Sequence, residues 1–411
     1  MNSSELIPHL FRTEYSRITA VLCKLFGIEN IQLAEDIASD TFLLAAETWG
    51  IKGLPPNPQA WLYSVAKNKA RDVFKRKKIF TEKITAALQK DATSFVEDDI
   101  DLSEKNIEDS QLQMMFAICH PLLSSEAQVG LSLRILCGFG IEEIAAAFLS
   151  NKETINKRLS RAKEKLRAGK IVIAMPSASD IPERLQNVLT TIYLLFNEGY
   201  YSAGTDSVLR KELCLEAMRL AHLLTYHEAT NQPEVNALLS LMCFHASRFD
   251  ARTNDAGEMI LYEEQDTMRW DKELIAKGEW YLNQASTGER LTKYHLEAAI
   301  AYWHTVKKDS PEKWENILQL YNRLLQIAYS PIAALNRTYA LAKANGAIEA
   351  IVEAEKLGLK NNQLYHSLLG ELYKNIDKEK AMHHLNTAFS LAVSTADKKM
   401  ISDKMSLLRK S

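Results

Sequence analysis

The residues able to do covalent chemistry are present in this chain but not spaced for it. Cys23, Cys119, Cys137, Cys214 and Cys243 form no CxxC pair, a pattern of reduced thiols and not of disulfides or a zinc site. His222 and His245 lie on apolar stretches without a spacing such as HExxH, so they read as core histidines, and the C-terminal half has no phosphate-binding glycine loop or Ser/His/Asp arrangement. Cations at helical spacing are what the chain offers instead. From Asn151 to Lys170 eight Lys or Arg stand against two Glu, while Ile155, Leu159, Ala162 and Leu166 fall on the opposite face of the same helix. Between Lys67 and Lys78 seven basic residues stand against one Asp, directly after Trp61 and Tyr63. Cations follow phosphates, and aromatic rings beside them stack unpaired bases. Both stretches therefore point to nucleic acid.

The elements that must position these residues are helices. Ile141, Ile144, Ala145 and Phe148 recur at i, i+3, i+4 and i+7, Ser150-Asn151 supplies a corner with N-cap chemistry, and a second helix runs from about Lys152. A short apolar helix, a turn and a basic helix describe a helix-turn-helix, whose second member lies in the major groove. Upstream, residues 5–27 and 33–49 read as helices, the second with acidic Glu35, Asp36, Asp40 and Glu47 beside apolar Ile37, Leu44 and Ala45. A Pro/Gly break at residues 50–58 precedes a helix over 59–78. Residues 91–110 carry eight Asp or Glu and one Lys, a composition expected of a flexible tether. The net charge of −2 thus averages over blocks of opposite sign. No stretch is apolar and long enough for a transmembrane helix, and no signal peptide is recognisable at the start. The fold expected is all-α.

The order EDIASDTF, a Pro/Gly loop, AWLYSVAKNKARDVFKRKK, an acidic linker, then EEIAAAF and ETINKRLSRAKEKLR resembles the two characteristic regions of sigma-70 family initiation factors, and most nearly the small extracytoplasmic-function group. The resemblance covers roughly residues 10–170. It implies two small helical sigma domains, residues 1–80 and 111–170, joined by an acidic linker over 81–110. It implies that Asp36, Asp40 and Phe42 dock on core RNA polymerase. Trp61, Tyr63, Asn68, Lys69, Arg71, Asp72, Lys75 and Arg76 would bind and open the −10 DNA. Lys152, Glu153, Thr154, Asn156, Lys157, Arg158, Arg161 and Lys165 would contact the −35 DNA.

Beyond residue 170 the chain continues through a connector, MPSASDIPERL, into further helices. Residues 184–225 read as helices around a turn at Asn197–Tyr201, and residues 234–249 as a nearly all-round apolar, buried helix. Arg248, Arg252, Asp255, Glu258, Glu263, Glu264, Asp266 and Arg269 then form a charge cluster, either a paired solvated loop or a site. Leu335/Leu369, Tyr339/Tyr373, Ala347/Ala381 and Ala354/Ala388 superpose at a period of 34 residues, and LGELY at 369–373 resembles part of a tetratricopeptide repeat. The organisation expected is a helical extension over 180–290 and tetratricopeptide-like repeats over 291–411, whose concave surface would take a protein or peptide partner. The segments YLLFNEGYYSA, CFHASRFDAR and EEQDTMRWDKELIAKG resemble the extension of a sigma subgroup with tetratricopeptide-like C-termini, which implies a regulatory role for it.

The resulting expectation is a sigma factor that binds core RNA polymerase and promoter DNA in the cytoplasm, with no catalysis, no cofactor, no metal and no membrane partner. A helix-turn-helix regulator with a helical sensor domain, acting without replacing sigma, is the alternative. It leaves the acidic helix and the aromatic-basic helix unexplained.

Overall fold

Apolar residues at three- and four-residue spacing run through the whole chain, and the fold they make is all-α. The computed structural model describes residues 3–85, 100–148, 150–201, 207–252, 260–393 and 395–410. Among these residues eighteen α-helices form and no strand. They gather into two compact units, Met1–Thr230 and Asn231–Ser411. No described helix is long and apolar enough to cross a membrane. All five cysteines are buried free thiols.

The first unit begins with α1 (Ser3–Phe26), α2 (Ile31–Lys52) and α3 (Pro58–Thr85). Tyr15, Ile18, Leu22 and Phe26 line the buried side of α1, and Ala34, Ala38, Phe42, Ala45 and Trp49 that of α2. The break expected at Gly50 comes three residues later: Gly50 faces open space inside the helix, and α2 ends at Gly53, whose φ of 80° suits glycine and whose N–H bonds the Trp49 carbonyl at 3.2 Å. Then follow α4 (Glu104–Ile118), α5 (Ser125–Leu131), a π-helical turn at Ser132–Leu136, α6 (Ile141–Ala147) and α7 (Lys152–Ala168).

The acidic linker expected over 81–110, with a flexible tether over 91–110, needs correction at both of its described ends. Residues 81–85 still belong to α3, and residues 100–110 are folded. Ile100 and Ile107 are buried, and α4 packs along α1. The acidic count concealed a helical face: Ile107, Gln111, Met114 and Ile118 point inward while Glu104 stays outside and pairs with Arg17 of α1. Residues 86–99 lie outside the described residues. As a result the two small domains expected from the sequence are one body. The helical extension expected over 180–290 is also divided. Its first helices, α8 (Ile181–Tyr201) and α9 (Ser207–Leu223), belong to the first unit. Arg184 donates to the Phe116 carbonyl, Thr191 to Gln128 (2.7 Å) and Arg219 to the Leu136 carbonyl (2.6 Å). The turn expected at Asn197–Tyr201 is the last turn of α8, held by Phe196 stacked on Tyr200 with ring centroids 5.6 Å apart.

The second unit is built on α10 (Pro233–Ala246), twelve of whose fourteen residues are buried. Its partner α11 (Lys272–Ala285) comes so close at Gly278 that a Cβ there would lie 2.6 Å from Phe244 Cε1. Next come α12 (Lys293–Trp303), α13 (Pro311–Ile327), α14 (Pro331–Asn345), α15 (Ala347–Leu357), α16 (Gln363–Tyr373), α17 (Lys378–Leu391) and α18 (Thr395–Lys410), each packed on its predecessor. Local chemistry starts these helices: Ser310, Ser330, Asn362 and Asp377 each accept from a backbone N–H of the first turn. The positions that superpose at 34 residues match in burial for two of the four pairs, while Tyr339 and Ala347 are half-buried where Tyr373 and Ala381 are buried. Leu335 and Leu369 are buried on α14 and α16, and Ala354 and Ala388 are fully buried on α15 and α17. Small residues there let successive helices approach.

Buried histidines make this unit acid-sensitive. Burial, then Arg248 and Lys313, push His304 down to about 3, and burial drives His245 well below the usual histidine range. Both are neutral when folded, whereas the unfolded chain takes up protons below about pH 6.5. Their contribution to stability is therefore complete above that pH and drains away as pH falls from about 6.5 toward 3. Each histidine adds up to ~1.4 kcal/mol per pH unit within the window. Urea melts at pH 7.5 and pH 5 are expected to show a clear drop in midpoint for the second unit. An unchanged midpoint would mean that neither ring is held neutral in the fold.

Candidate nucleic-acid interface

The basic helix α7 is fixed at its start and along one side. Asn151 caps it by accepting from the Thr154 N–H at 2.8 Å, and Glu143 closes the start of α6 by accepting from the Gly140 N–H at 2.6 Å. Ile155, Leu159, Ala162 and Leu166 are buried. Every predicted −35 residue stands on the other side. Lys152, Glu153, Thr154, Asn156, Lys157, Arg161 and Lys165 are exposed, and Arg158 is half-buried with its guanidinium 5.5 Å from the Phe148 ring. Thr154, Lys157, Arg158, Arg161 and Lys165 line a groove of about 380 Å³ whose other wall is Leu123, Ser124 and Ala127 at the start of α5. Lys152 is the member already engaged, 2.7 Å from Glu142. The rest form a strip of four cations spaced 157, 158, 161, 165, which follows one helix face as a phosphate track would require.

Lys163 turns the other way. It reaches Glu35 of α2, whose carboxylate is also bound by Arg134 Nε at 3.1 Å. Glu35 is only 3% exposed. Arg134 spends its remaining donors on Tyr15 Oη (3.3 Å) and the Phe139 carbonyl (3.1 Å). Burial, with Glu35 next in effect, pushes the Tyr15 hydroxyl up to about 12. One carboxylate thus ties α7 and the turn before α6 to α2. The sequence reading missed both Glu35 and Arg134 as structural residues. A signal for Glu35 existed, since it sits four residues after Ile31 and seven before Phe42, on the apolar face of its helix.

The other predicted residues are placed unequally. Asp36 and Asp40 are exposed on α2, Asp36 accepting from Gln32 (3.1 Å) and Asp40 lying 3.5 Å from Lys69. Phe42, expected at the polymerase-docking surface, is instead a core residue at 4% exposure, edge-on to Phe11 at 5.0 Å. The exposed apolar residues near those acids are Leu43, Leu44 and Ile51, the last 88% exposed. On α3, Asn68, Asp72, Lys75 and Arg76 are exposed and Arg71 is half-buried. The two aromatics expected to stack bases are committed elsewhere. Trp61 packs on Trp49 with centroids 5.3 Å apart. Tyr63 donates to Glu14 at 2.5 Å and accepts from Gln59 at 3.0 Å; burial and that carboxylate push its hydroxyl up to about 12. Among the described residues no group of three or more His, Cys, Asp or Glu is placed to hold a metal ion.

The fold and this surface define an all-helical protein with an exposed basic helix-turn-helix. Residues 184–286 match the model of a family of unknown function, DUF6596. The chain is 33% identical over 375 residues to the uncharacterized protein R00370 of Rhizobium meliloti (strain 1021), covering 89% of this chain and 87% of that protein, and it belongs to the same family. No solved structure matches.

Proposed function

We propose that the chain is a sigma factor, a non-catalytic subunit that binds core RNA polymerase and directs it to promoters in the bacterial cytoplasm. The observation that carries this reading is the exposed strip Lys157, Arg158, Arg161 and Lys165 on a capped, rigidly packed second helix of a helix-turn-helix. In this role α7 reads −35 DNA. The face of α2 with Asp36, Asp40, Leu43, Leu44 and Ile51 docks on polymerase. Asn68, Arg71, Asp72, Lys75 and Arg76 hold −10 DNA, with Lys69 released from Asp40 when docking engages the acid. The second unit regulates, and its repeats take a protein or peptide partner.

This role sets a geometric demand. Elements centred near −35 and −10 lie about 25 base pairs apart, ~85 Å of duplex at ~3.4 Å per pair. A compact body of 230 residues has a radius of gyration of only ~17 Å. Reading both elements at once therefore requires α7 to leave α2, which breaks the Glu35 ties. The inward commitment of Trp61 and Tyr63 favours the second reading, a helix-turn-helix regulator that never handles melted DNA.

Transcription in vitro with bacterial core RNA polymerase and a genomic promoter library separates the two. New start sites that need the protein and share upstream elements near −35 and −10 are expected. Duplex binding without co-elution with core polymerase would overturn the sigma reading.

A further inference from the structure

Just after α10, in the second unit, Arg248 is 8% exposed and its Nε has no hydrogen-bond partner. What it does touch is the face of Tyr262, with Cζ 5.6 Å from the ring centroid. Two more cations crowd that ring, Lys307 at 4.9 Å and Lys313 at 5.2 Å. These two are satisfied. Lys307 donates to the carbonyls of Tyr262, Glu263 and Gln265 at 2.6, 3.0 and 3.3 Å. Lys313 donates to the Val306 carbonyl (2.7 Å) and Tyr262 Oη (3.1 Å), with Asp309 at 3.6 Å. Asp309 is shared with Lys343 at 3.3 Å, and Glu263 accepts from Tyr339 at 2.9 Å. Asp309 and Glu263 are thus engaged with other groups. Two more buried polar atoms of the same loop, Gln265 Oε1 and Trp270 Nε1, also lack partners.

An arginine this buried, with its Nε sealed from water and no ion pair among the described residues, is unfavourable, and a ring face offsets only part of the loss. Its repulsion by Lys313 adds to the cost. The missing component is negative, and the planar fork of an arginine matches a carboxylate or a phosphate in two parallel hydrogen bonds. We propose that Arg248, among the cations gathered around Tyr262, is the anchor of a binding site for a small anion carrying a carboxylate or phosphate group. The anion pairs with the guanidinium and locks the 260–270 loop onto α10 and the α12–α13 connection. This site lies in the second unit and gives it a chemical input.

Thermal melts of the full chain, in buffer free of both anions, test this with inorganic phosphate and with succinate as probes, against sodium chloride at equal ionic strength. At least one probe is expected to raise the melting temperature saturably by roughly 5 °C, and chloride is not. Arg248→Met removes an unpaired buried charge. It is therefore expected to melt no lower than the parent without anion and to lose the saturable response. Arg248→Lys keeps the charge without the fork and should bind the probe at least tenfold more weakly. A saturable rise that persists in Arg248→Met, or its absence with both probes, overturns the proposal. So does a lower melting temperature of Arg248→Met without anion that an Asp255→Asn/Glu258→Gln chain reproduces, since an acid of this chain would then be the counter-ion.

Discussion

Replacing Glu35 with alanine is expected to lower the melting temperature of the first unit by roughly 10 °C, the equivalent of about 3–5 kcal/mol. The side chain is almost fully buried and holds two cations, Arg134 and Lys163. Removing it leaves Lys163 without its counter-charge and Arg134 with only the neutral acceptors Tyr15 Oη and the Phe139 carbonyl, both in a mostly buried setting. That residual cost, more than the lost attraction, sets the size of the effect. Combining Glu35→Leu with Arg134→Met and Lys163→Met removes all three charges and is expected to recover most of the stability. Amide exchange should localise the single-variant loss to α2 and α7. A loss below about 1 kcal/mol would show that water reaches this carboxylate and that the three groups are an ordinary surface pair. Under the proposed function the same variant has a second consequence. With the tie between α2 and α7 weakened, separation costs less, so Glu35→Gln should bind a duplex carrying both elements more tightly than the parent chain does, with binding to an isolated −35 duplex unchanged.

Under the proposed function, replacing Lys157 and Arg158 together with alanine should weaken promoter binding roughly 100-fold, at about 1–3 kcal/mol per contact. Both side chains line the groove between α5 and α7, and neither forms an ion pair among the described residues. The slope of log affinity against log salt should fall by about 2, since two phosphate-neutralising cations are removed. Binding to core polymerase should stay intact, because its proposed surface is on α2. Arg158 also covers Phe148, so the melting temperature of the variant separates lost packing from lost charge. If polymerase binding and promoter binding fall together, α7 is not a dedicated DNA helix.

These two variants also mark the boundary between what could be read from residue order and what could not. The helix-turn-helix was readable because its determinants are local. Asn151 caps α7 through a residue three positions away, and the i, i+4 spacing of Ile155, Leu159, Ala162 and Leu166 separates a buried face from a basic one without help from the rest of the chain. The repeat helices were readable for the same reason, with Ser330, Asn362 and Asp377 as starts and Gly358 as a stop at φ 62°. Composition misled where charge and shape share one helix. The acid-rich segment before Gln111 looked like a tether, yet one apolar stripe through Ile107 and Met114 suffices to bury α4 against α1.

Partnership between distant residues was decided by the tertiary structure alone. Glu35 and Lys163 are separated by 128 positions, Tyr63 and Glu14 by 49, and Arg248 meets the ring of Tyr262 from the following loop. A sequence fixes which face of its own helix a residue occupies, because backbone geometry repeats every 3.6 residues. Which other face it meets depends on how whole helices dock. That choice follows from the summed burial of many side chains, and no single spacing encodes it.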